Sequence, residues 1–385
     1  ISACLVGSEM CIRDRSGPTC VRQLSEMGAQ VIKVEMPGSE DLSGRHHFDF
    51  QNLHPSKRSI TIDLKSAQGK EVLFRLVRDA DVVVENFRPN VKHRLGIDYE
   101  TLSVINPRLV YTSISGFGQH GPDEDRPGLD QIAQGMSGVM TVNGEPDRGP
   151  MRVGLPIADL TAGFMAAYGT VCALYERERS GRGQWVHTSL LQAMVRLMDF
   201  QGARYLMKGE VPKQEGNNHP IQSPTNVYKA RDGMLIIQAS GNAMFKRLCD
   251  VLGSPELLAD ERYKTVSSRF QHHHVLDAQI SEYTSKRTVA EWIEALTEAG
   301  VPAGPIYNVQ QCFENEQVQT LPTAVPLESK ALGPIKLMGY GVNLERTPPR
   351  HRSAAPELGQ HTDEILAELG YAADEIAELH VEGAV

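Results

Sequence analysis

The segment VGLPIADLTAGFMAAYG, residues 153–169, carries one carboxylate, Asp159, in the first turn of a predicted apolar helix. The partial positive charge and free N–H groups of a helix N-terminus stabilise an aspartate there. The same setting keeps a carboxylate ionised and oriented, which suits a nucleophile. The neighbouring helix residues are small: Ala158, Thr161, Ala162, Gly163, Ala166 and Ala167. They leave room for a ligand or for a closely packed helix, so a helix cap and a catalytic carboxylate both remain open.

Other motifs in the sequence indicate no competing chemistry. Neighbouring histidines on a helix point in different directions, so the run at 272–274 is a poor chelate and is interpreted as a solvated face. The sequence contains no GxSxG motif and no Walker loop. The glycine-rich SISGFGQHGP, 113–122, is either a loop whose backbone approaches a ligand or an ordinary turn. No metal site is predicted.

Composition restricts the class of protein. The chain has 385 residues, 41% of them hydrophobic, with a net charge of −9. That charge argues against a nucleic-acid partner, because a phosphate-binding surface needs a basic excess. No apolar run approaches the roughly 20 residues that span a bilayer, so no membrane partner is expected. The six cysteines show no CxxC pair, which is typical of reduced thiols in a cytoplasmic enzyme.

The order of predicted elements indicates an α/β fold. From Ser16, helices alternate with the strands AQVIKVE (29–35), KRSITIDL (57–64), DVVVENF (81–87) and RLVYTSISGFG (108–118). This alternation predicts βαβ crossovers, a mainly parallel sheet and a long helix from about Ala158 to Arg179. VYKARDGMLIIQAS (227–240) predicts a hairpin turning at Arg-Asp-Gly. We expect a large domain at 16–205, a linker at 206–224, a smaller α+β domain at 225–310 and a C-terminal segment at 311–385.

Residues 1–15 do not fit this pattern. LVGSEMCIRDR, 5–15, looks like the in-frame translation of a transposase-type sequencing adapter. It has no basic start and only a very short apolar run, so it is not a signal peptide. We interpret 1–15 as an assembly artefact that replaces the native N-terminus, the alternative being a genuine irregular start. On this interpretation the strand expected before Ser16 is missing.

Seven segments together resemble the family III CoA-transferases, also called the carnitine-dehydratase and bile-acid-inducible family. They are GPTCVRQLSEMGAQVIKVE (17–35), NLHPSKRSITIDLKSAQGKEV (52–72), DVVVENFRPNVKHRLGIDYETL (81–102), NPRLVYTSISGFGQHGP (106–122), GLDQIAQGMSGVM (128–140), VGLPIADLTAGFMAAYGTVCALYERERSGRGQWVHTSLLQA (153–193) and LGQHTDEIL (358–366). The resemblance implies a Rossmann-like large domain, a smaller domain, a return of the chain to the large domain, and an interlocked homodimer. It also implies acyl-CoA and carboxylic acid substrates and no permanently bound cofactor.

The resemblance implies roles for individual residues. Asp159 matches the family's catalytic aspartate, which attacks an acyl-CoA thioester and passes through an anhydride and an aspartyl-CoA thioester. Asn86 and Phe87 match the adenine-binding segment, and Arg94 matches a basic residue that reaches the nucleotide phosphates, with a surface salt bridge as the alternative. Leu64 and Lys65 are expected to line the same side.

A second acidic position and two departures qualify the resemblance. Asp130 matches an acidic position close to the nucleophile, with capping as an equal interpretation. A glutamine that some transferases carry falls at Arg15. The glycine-run loop of the formyl-CoA transferases is also missing, its place taken by GNNHPIQSP (216–224), which disfavours formyl-CoA:oxalate transfer.

Two other functions compete with CoA transfer. A 2-methylacyl-CoA racemase has the same fold and needs a second proton-exchanging group, but this chain has Leu129 where racemases place a histidine. A non-catalytic CoA-binding homologue is the other alternative. The sequence does not identify the donor and acceptor acids. Basic residues that could meet an acceptor carboxylate, or be solvated charges, are Arg148, Arg152, Arg204 and Lys208.

Overall fold

The computed structural model describes residues 15–39 and 44–385, together with the backbone of residues 2–6. The strands are β1 (Ser2–Val6), β2 (Gln30–Glu35), β3 (Lys57–Thr61), β4 (Val82–Glu85), β5 (Val110–Ser115), β6 (Trp185–Ser189), β7 (Thr225–Lys229), β8 (Met234–Gln238), β9 (Ala303–Pro305), β10 (Ala324–Ser329) and β11 (Gly333–Met338).

The helices follow the same chain order. They are α1 (Ser16–Glu26), α2 (Phe48–Leu53), α3 (Ala67–Asp79), α4 (Pro89–Leu95), α5 (Tyr99–Ile105), α6 (Asp130–Met136), α7 (Ile157–Ser180), α8 (Leu190–Leu197), α9 (Asp199–Lys208), α10 (Asn242–Leu252), α11 (Pro255–Ala259), α12 (Val266–Gln271), α13 (His273–Thr284), α14 (Val289–Glu298), α15 (Val309–Glu314), α16 (Glu316–Thr320), α17 (Thr362–Glu368) and α18 (Ala373–Val381). Short 3₁₀ turns lie at Val139–Thr141 and Glu261–Tyr263.

The chain forms two compact units. The first contains 1–140, 152–210 and 319–385, and the second contains 141–151 and 211–318. These bounds differ from the predicted ones in three places. The helix α9 carries the first unit beyond residue 205, the short segment 141–151 belongs to the second unit, and the second unit continues past residue 310.

The first unit is built on a parallel sheet of six strands in the order β3-β2-β1-β4-β5-β6. Every pairing within it is parallel, which confirms the predicted α/β class. Successive residues of β4 enter different cores: Val82 and Val84 pack into one cluster and Val83 into another. Because side chains alternate across a strand, both faces of the sheet are covered, as parallel sheets require.

The first strand is present, which corrects the expectation that it is missing. Residues Ser2–Val6 lie between β2 and β4 as the central strand β1, with Ala3 opposite both Val31 and Val82. A βαβ fold that begins with a helix needs this strand to complete its sheet. Residues 7–14, most of the segment interpreted as an adapter, lie outside the described residues.

The helix α7 packs against β5 and β6 of the sheet and against the helices α1 and α8. Ala158, Ala162 and Ala166 on it are fully buried. Among the described residues, α7 alone is long and apolar enough to span a membrane by length and composition. This 24-residue helix corrects the expectation that no apolar run approaches the length of a membrane span. Half of that apolar stretch is buried inside the fold.

The second unit has its own sheet and core. The antiparallel sheet β7-β8-β9 has Lys229 opposite Met234, which confirms the hairpin predicted at Arg-Asp-Gly. The buried Arg269 donates hydrogen bonds to the carbonyls of Ser223, Tyr263 and Ser240 at 2.6 to 3.2 Å. These bonds tie three separate segments of the second unit to helix α12.

Candidate active site

The carboxyl ends of the parallel strands define where a site can form in the first unit. In α/β sheets, ligands bind beyond these ends, where loops lead into helix N-termini. The predicted residues Asn86 and Phe87 follow β4 directly, Leu64 and Lys65 follow β3, and the helix that carries Asp159 begins after β5. The topology therefore brings the predicted positions to one edge of the sheet.

The direction of α7 places Asp159 at this edge. The C-terminal end of α7 lies at the amino end of β5. Arg177 on α7 donates to the Arg108 carbonyl at 3.0 Å, and the Gly183 N–H, just after α7, donates to the Pro107 carbonyl at 2.9 Å. Both carbonyls lie just before β5. Thr170 meets Thr112 of β5 at 2.7 Å, Oγ1 to Oγ1. Asp159 lies about 16 Å further toward the helix N-terminus. It is the third residue of α7 and is half-buried.

Asp130, the first residue of α6, caps α7. One carboxylate oxygen, Oδ1, accepts hydrogen bonds from the backbone N–H groups of Ala158 (2.7 Å) and Asp159 (3.2 Å). Its Oδ2 accepts from Gln134 Nε2 at 2.6 Å, and Gln134 Oε1 accepts from the Val153 N–H at 2.9 Å. The N-cap residue of α7, Pro156, makes no side-chain cap bond. A carboxylate from another helix thus fills the capping role that the sequence left open for Asp159.

A close helix crossing supports the turn after Asp159. A Cβ added at Gly163 would lie 2.8 Å from the Ser16 carbonyl oxygen and 2.7 Å from Thr19 Cβ. Gly163 is four residues beyond Asp159, so it lies one turn further on the same helix face. The first turn of α1 therefore packs directly on α7 beside the aspartate. The small residues of α7 were expected to make room for a ligand or for a closely packed helix. At Gly163 the closely packed helix α1 is the reason.

Arg15, just before α1, forms an ion pair. Its Nη2 lies 2.6 Å from both carboxylate oxygens of Asp49 on α2. The position where some transferases carry a glutamine therefore holds a guanidinium engaged with a neighbouring helix.

The segment after β4 is held by a buried lysine. Lys92 on α4 donates to Glu85 Oε1 at 3.1 Å, and Glu85 Oε2 accepts from the Phe87 N–H at 2.9 Å. Burial raises the pKa of Glu85, while the ammonium of Lys92 acts in the opposite direction. Asn86 lies between these anchored residues, and its Oδ1 is buried without a hydrogen-bond partner among the described residues. The ring of Phe87 is 6% exposed and belongs to the core, so that side chain is structural.

The remaining predicted CoA residues lie apart from one another along the edge. Lys65 is exposed and Leu64 is half-buried against the core cluster of α3. The strands β2 and β1 separate β3 from β4, so their ends lie about 14 Å apart at 4.8 Å per strand. Arg94 on α4 is exposed, and no ion pair joins it to another residue that the structure describes.

The loop after β5 closes through two glycines. A Cβ at Gly116 would lie 2.8 Å from the Gly128 Cα, so only glycine allows the two backbones to meet. This contact brings the start of α6, with Asp130, back to the end of β5. Leu129, at the position of the racemase histidine, is 57% exposed and has no group that can exchange a proton.

The four basic residues considered for an acceptor carboxylate differ in setting. Arg148 belongs to the second unit, and the other three to the first. Arg204 forms an ion pair with Glu210, with 3.4 Å between nitrogen and oxygen. Arg152 is exposed, and its one hydrogen bond to a described residue is to the Gly154 carbonyl, at 3.5 Å.

The potential metal ligands of the described residues have other roles. His93, Asp98 and Glu100 lie close enough to share an ion, but Asp98 caps α5 through the Thr101 N–H at 2.9 Å. In the histidine run, His272 and His273 each meet a backbone carbonyl of their own segment, at 2.9 and 2.7 Å.

Comparison with known proteins places these features in a family. Residues 15–362 match the sequence profile of CoA-transferase family III. The chain is 39% identical to a succinate–glutarate CoA-transferase of Agrobacterium fabrum, an alignment that covers 92% of each chain. It is 36% identical to a succinyl-CoA–D-citramalate CoA-transferase of Chloroflexus aurantiacus, over 94% of this chain and 93% of the relative. A crystal structure of a CaiB/BaiF family protein from Brucella suis superposes with a TM-score of 0.83 at 33% identity, covering 96% of this chain and 98% of the other.

Proposed function

This chain belongs to CoA-transferase family III, and on that basis we propose that it moves CoA from an acyl-CoA donor to a free carboxylic acid through Asp159. The family match and the named relatives make it a CoA-transferase. The observation that carries the role of Asp159 is the cap on α7. Because Asp130 fills the cap position, the carboxylate of Asp159 is not required to hold the helix end.

The proposed reaction exchanges one activated acyl group for another. The Asp159 carboxylate attacks the thioester carbonyl, the C–S bond breaks, and a mixed anhydride and CoA thiolate form. The thiolate then attacks the aspartyl carbonyl of the anhydride, releasing the donor acid and leaving an aspartyl-CoA thioester. The acceptor carboxylate attacks this thioester, and the released thiolate attacks the acceptor acyl carbonyl of the new anhydride. The acceptor acyl-CoA leaves and the Asp159 carboxylate is restored.

The protein supplies orientation and electrostatic stabilisation in this scheme. The N-terminus of α7 keeps Asp159 anionic between turnovers and disperses the charge that returns when the anhydride is cleaved. The cap and the crossing at Gly163 fix the backbone that carries Asp159, which lowers the entropic cost of each attack. Backbone N–H groups at helix N-termini are suitable donors to the tetrahedral oxyanions.

We propose dicarboxylic acids as the substrates. The Agrobacterium relative is named for succinate and glutarate, and the Chloroflexus relative for succinyl-CoA and citramalate. Each of these acids keeps a second carboxylate that does not react. Arg152 is the proposed partner of that group, because it is exposed, belongs to the same unit as Asp159 and forms no ion pair with a described residue.

CoA is proposed to bind along the carboxyl edge of the sheet. Asn86 would contact the adenine and Arg94 the phosphates, while Leu64 and Lys65 would lie further along the extended cofactor. Phe87 would contribute through its backbone, since its ring is in the core. Asp130, on α6, would support the nucleophile through its hydrogen bonds to the first turn of α7, in addition to the CoA contact that the family resemblance implies for it.

A homodimer is the proposed assembly, with a cytoplasmic location. The outer face of α7 exposes apolar side chains at helical spacing: Phe164, Tyr168, Val171 and Tyr175, each between 49 and 70% exposed. Large exposed apolar faces mark interaction surfaces. A second copy of the chain is the proposed partner on this face.

Matched variants of the purified protein test the proposal. Asp159→Asn keeps the shape of the side chain and removes the nucleophile, and Asp123→Asn is a control in the polar loop after β5. We expect Asp159→Asn to lose CoA exchange between succinyl-CoA and glutarate by at least 10³-fold with CoA binding retained. Unchanged transfer would refute the role of Asp159. Proton exchange at the α-carbon of 2-methylacyl-CoA without transfer would favour a racemase, and CoA binding without either reaction a non-catalytic homologue.

A further inference from the structure

The buried Lys92 fixes the orientation of Gln119, which follows β5. Lys92 is 1% exposed, and its Nζ donates to Glu85 Oε1 (3.1 Å), Ser113 Oγ (3.1 Å) and Gln119 Oε1 (2.5 Å). An ammonium has three donors and no acceptor. Gln119 must therefore present its amide oxygen to Lys92 and direct its Nε2 away from it.

This orientation leaves a buried donor without a partner. Gln119 is 5% exposed, and its Nε2 makes no hydrogen bond with any residue that the structure describes. Burying a polar group without a hydrogen-bond partner is energetically unfavourable. A bound ligand or an ordered water that accepts from Nε2 would remove this cost.

A complementary acceptor lies at the end of the neighbouring strand. The Asn86 Oδ1 is also buried without a partner among the described residues. The strands β4 and β5 are adjacent, with Glu85 opposite Ser113. Lys92 bonds both of these residues, so one network holds the segment with the free acceptor and the loop with the free donor. Together they match a ligand edge that carries an N–H group beside a ring nitrogen, such as the amino edge of adenine.

We infer that Gln119 is a nucleotide-contacting residue that donates its Nε2–H to a ring nitrogen of the CoA adenine, with Lys92 as its positioning residue. This inference rests on the proposed function. The Lys92 ammonium keeps its three hydrogen bonds to Glu85, Ser113 and Gln119. Asn86 accepts a hydrogen bond from the exocyclic amine of the adenine. The side-chain amides of Asn86, after β4, and Gln119, after β5, thus both contact the base.

Two substitutions at Gln119 test the contact. Gln119→Glu keeps an oxygen for Lys92 and removes the Nε2 donor, and Gln119→Met removes the donor without adding charge. Gln271→Glu, an exposed position at the end of α12, controls for the added charge. We expect both Gln119 variants to weaken CoA binding about 5- to 10-fold in titration calorimetry, with the control unchanged.

A truncated substrate separates contact from structure. For succinyl-pantetheine, which lacks the nucleotide, kcat/KM is expected to stay within twofold of wild type in both variants, while KM for succinyl-CoA rises. Equal losses with both thioesters, or a CoA affinity within twofold of wild type, would overturn the inference.

Should the variants not fold, a crystal structure of the wild-type protein with CoA decides the question. Gln119 Nε2 within 3.5 Å of an adenine nitrogen supports the contact, and Nε2 bonded only to protein or water overturns it. The two proposals fail differently. Absence of CoA exchange by the wild type contradicts the proposed function, whereas normal exchange with unaffected Gln119 variants contradicts this contact alone.

Discussion

The carboxylate of Asp130 accepts a hydrogen bond from the backbone N–H of Asp159, at 3.2 Å, and another from that of Ala158, at 2.7 Å. One aspartate thus closes the helix end from which the other projects. Because Asp130 caps the helix, the carboxylate of Asp159 is not needed for that role, and the helix N-terminus favours its charge.

Removing the cap should reduce both stability and catalysis. Asp130→Ala is expected to cost about 1–2 kcal/mol of unfolding free energy and to lower kcat at least tenfold, because the first turn of α7 loses its anchor. Asp130→Asn keeps an acceptor and should retain most of both. Asp98→Ala removes the cap of α5 and should lower stability by a similar amount with kcat unchanged. Equal kcat in Asp130→Ala and wild type would show that the cap does not position the nucleophile.

The crossing of α1 and α7 should not accept a methyl group. Gly163→Ala places a Cβ against the Ser16 carbonyl and Thr19, so the helices must separate beside Asp159. We expect a loss of about 1–3 kcal/mol in denaturant unfolding and a lower kcat. In the control, Gly135→Ala on α6, the nearest atom to the new Cβ is 3.7 Å away, and stability should be unchanged or higher. A Gly163→Ala protein as stable as wild type would contradict the close contact.

Stability should decrease as the pH falls below 6.5. Burial, and then the neighbouring Lys57, hold the pKa of His54 well below its ordinary value of 6.5. The folded state therefore keeps His54 neutral while the unfolded state binds a proton. Its contribution is complete above pH 6.5 and is lost as the pH falls toward the folded pKa, by up to about 1.4 kcal/mol per pH unit.

His54→Gln tests this assignment, because glutamine keeps an acceptor for Lys57, whose Nζ lies 3.1 Å from His54 Nδ1. The decrease in unfolding free energy between pH 7 and pH 5.5 should be smaller in this variant than in wild type. The same pH dependence in both proteins would assign it to other groups.

A charge on the outer face of α7 should disrupt the proposed dimer. Tyr168→Asp places a carboxylate on a side chain that is 70% exposed in the single chain. In light scattering after gel filtration, wild type is expected at twice the chain mass and the variant at the chain mass or in aggregates. Val104→Asp, on the exposed side of α5, should remain dimeric. A monomeric wild type would exclude this assembly.

The parts of the fold that local rules determine could be predicted from the sequence. Helix α7 ends at Gly181, whose φ of 72° is the left-handed conformation that the Gly after RERS predicts. The start of α3 follows its Ser66 cap, whose hydroxyl accepts from the Gly69 N–H at 2.9 Å. Each of these two residues lies directly beside the helix end that it marks.

Features that depend on distant contacts were missed or left open. The hairpin β10–β11 was not predicted, because Pro326 and Pro334 within it are unfavourable in strand interiors. Asp130 is 28 residues from the N–H of Ala158, so no local pattern distinguishes a cap of another helix from a ligand contact. Phe87 matches a binding motif, but its position in the core follows from the packing of the sheet.

Mass spectrometry of the enzyme after reaction with succinyl-CoA tests the role of Asp159 most directly. Hydroxylamine added during turnover converts an aspartyl thioester or anhydride to a hydroxamate, which adds about 15 Da to the modified peptide, as expected for a covalent acyl intermediate. We predict this mass increase on Asp159 alone, and none in Asp159→Asn. Full CoA transfer with no label on Asp159, or with the label on another carboxylate, would contradict the proposed mechanism.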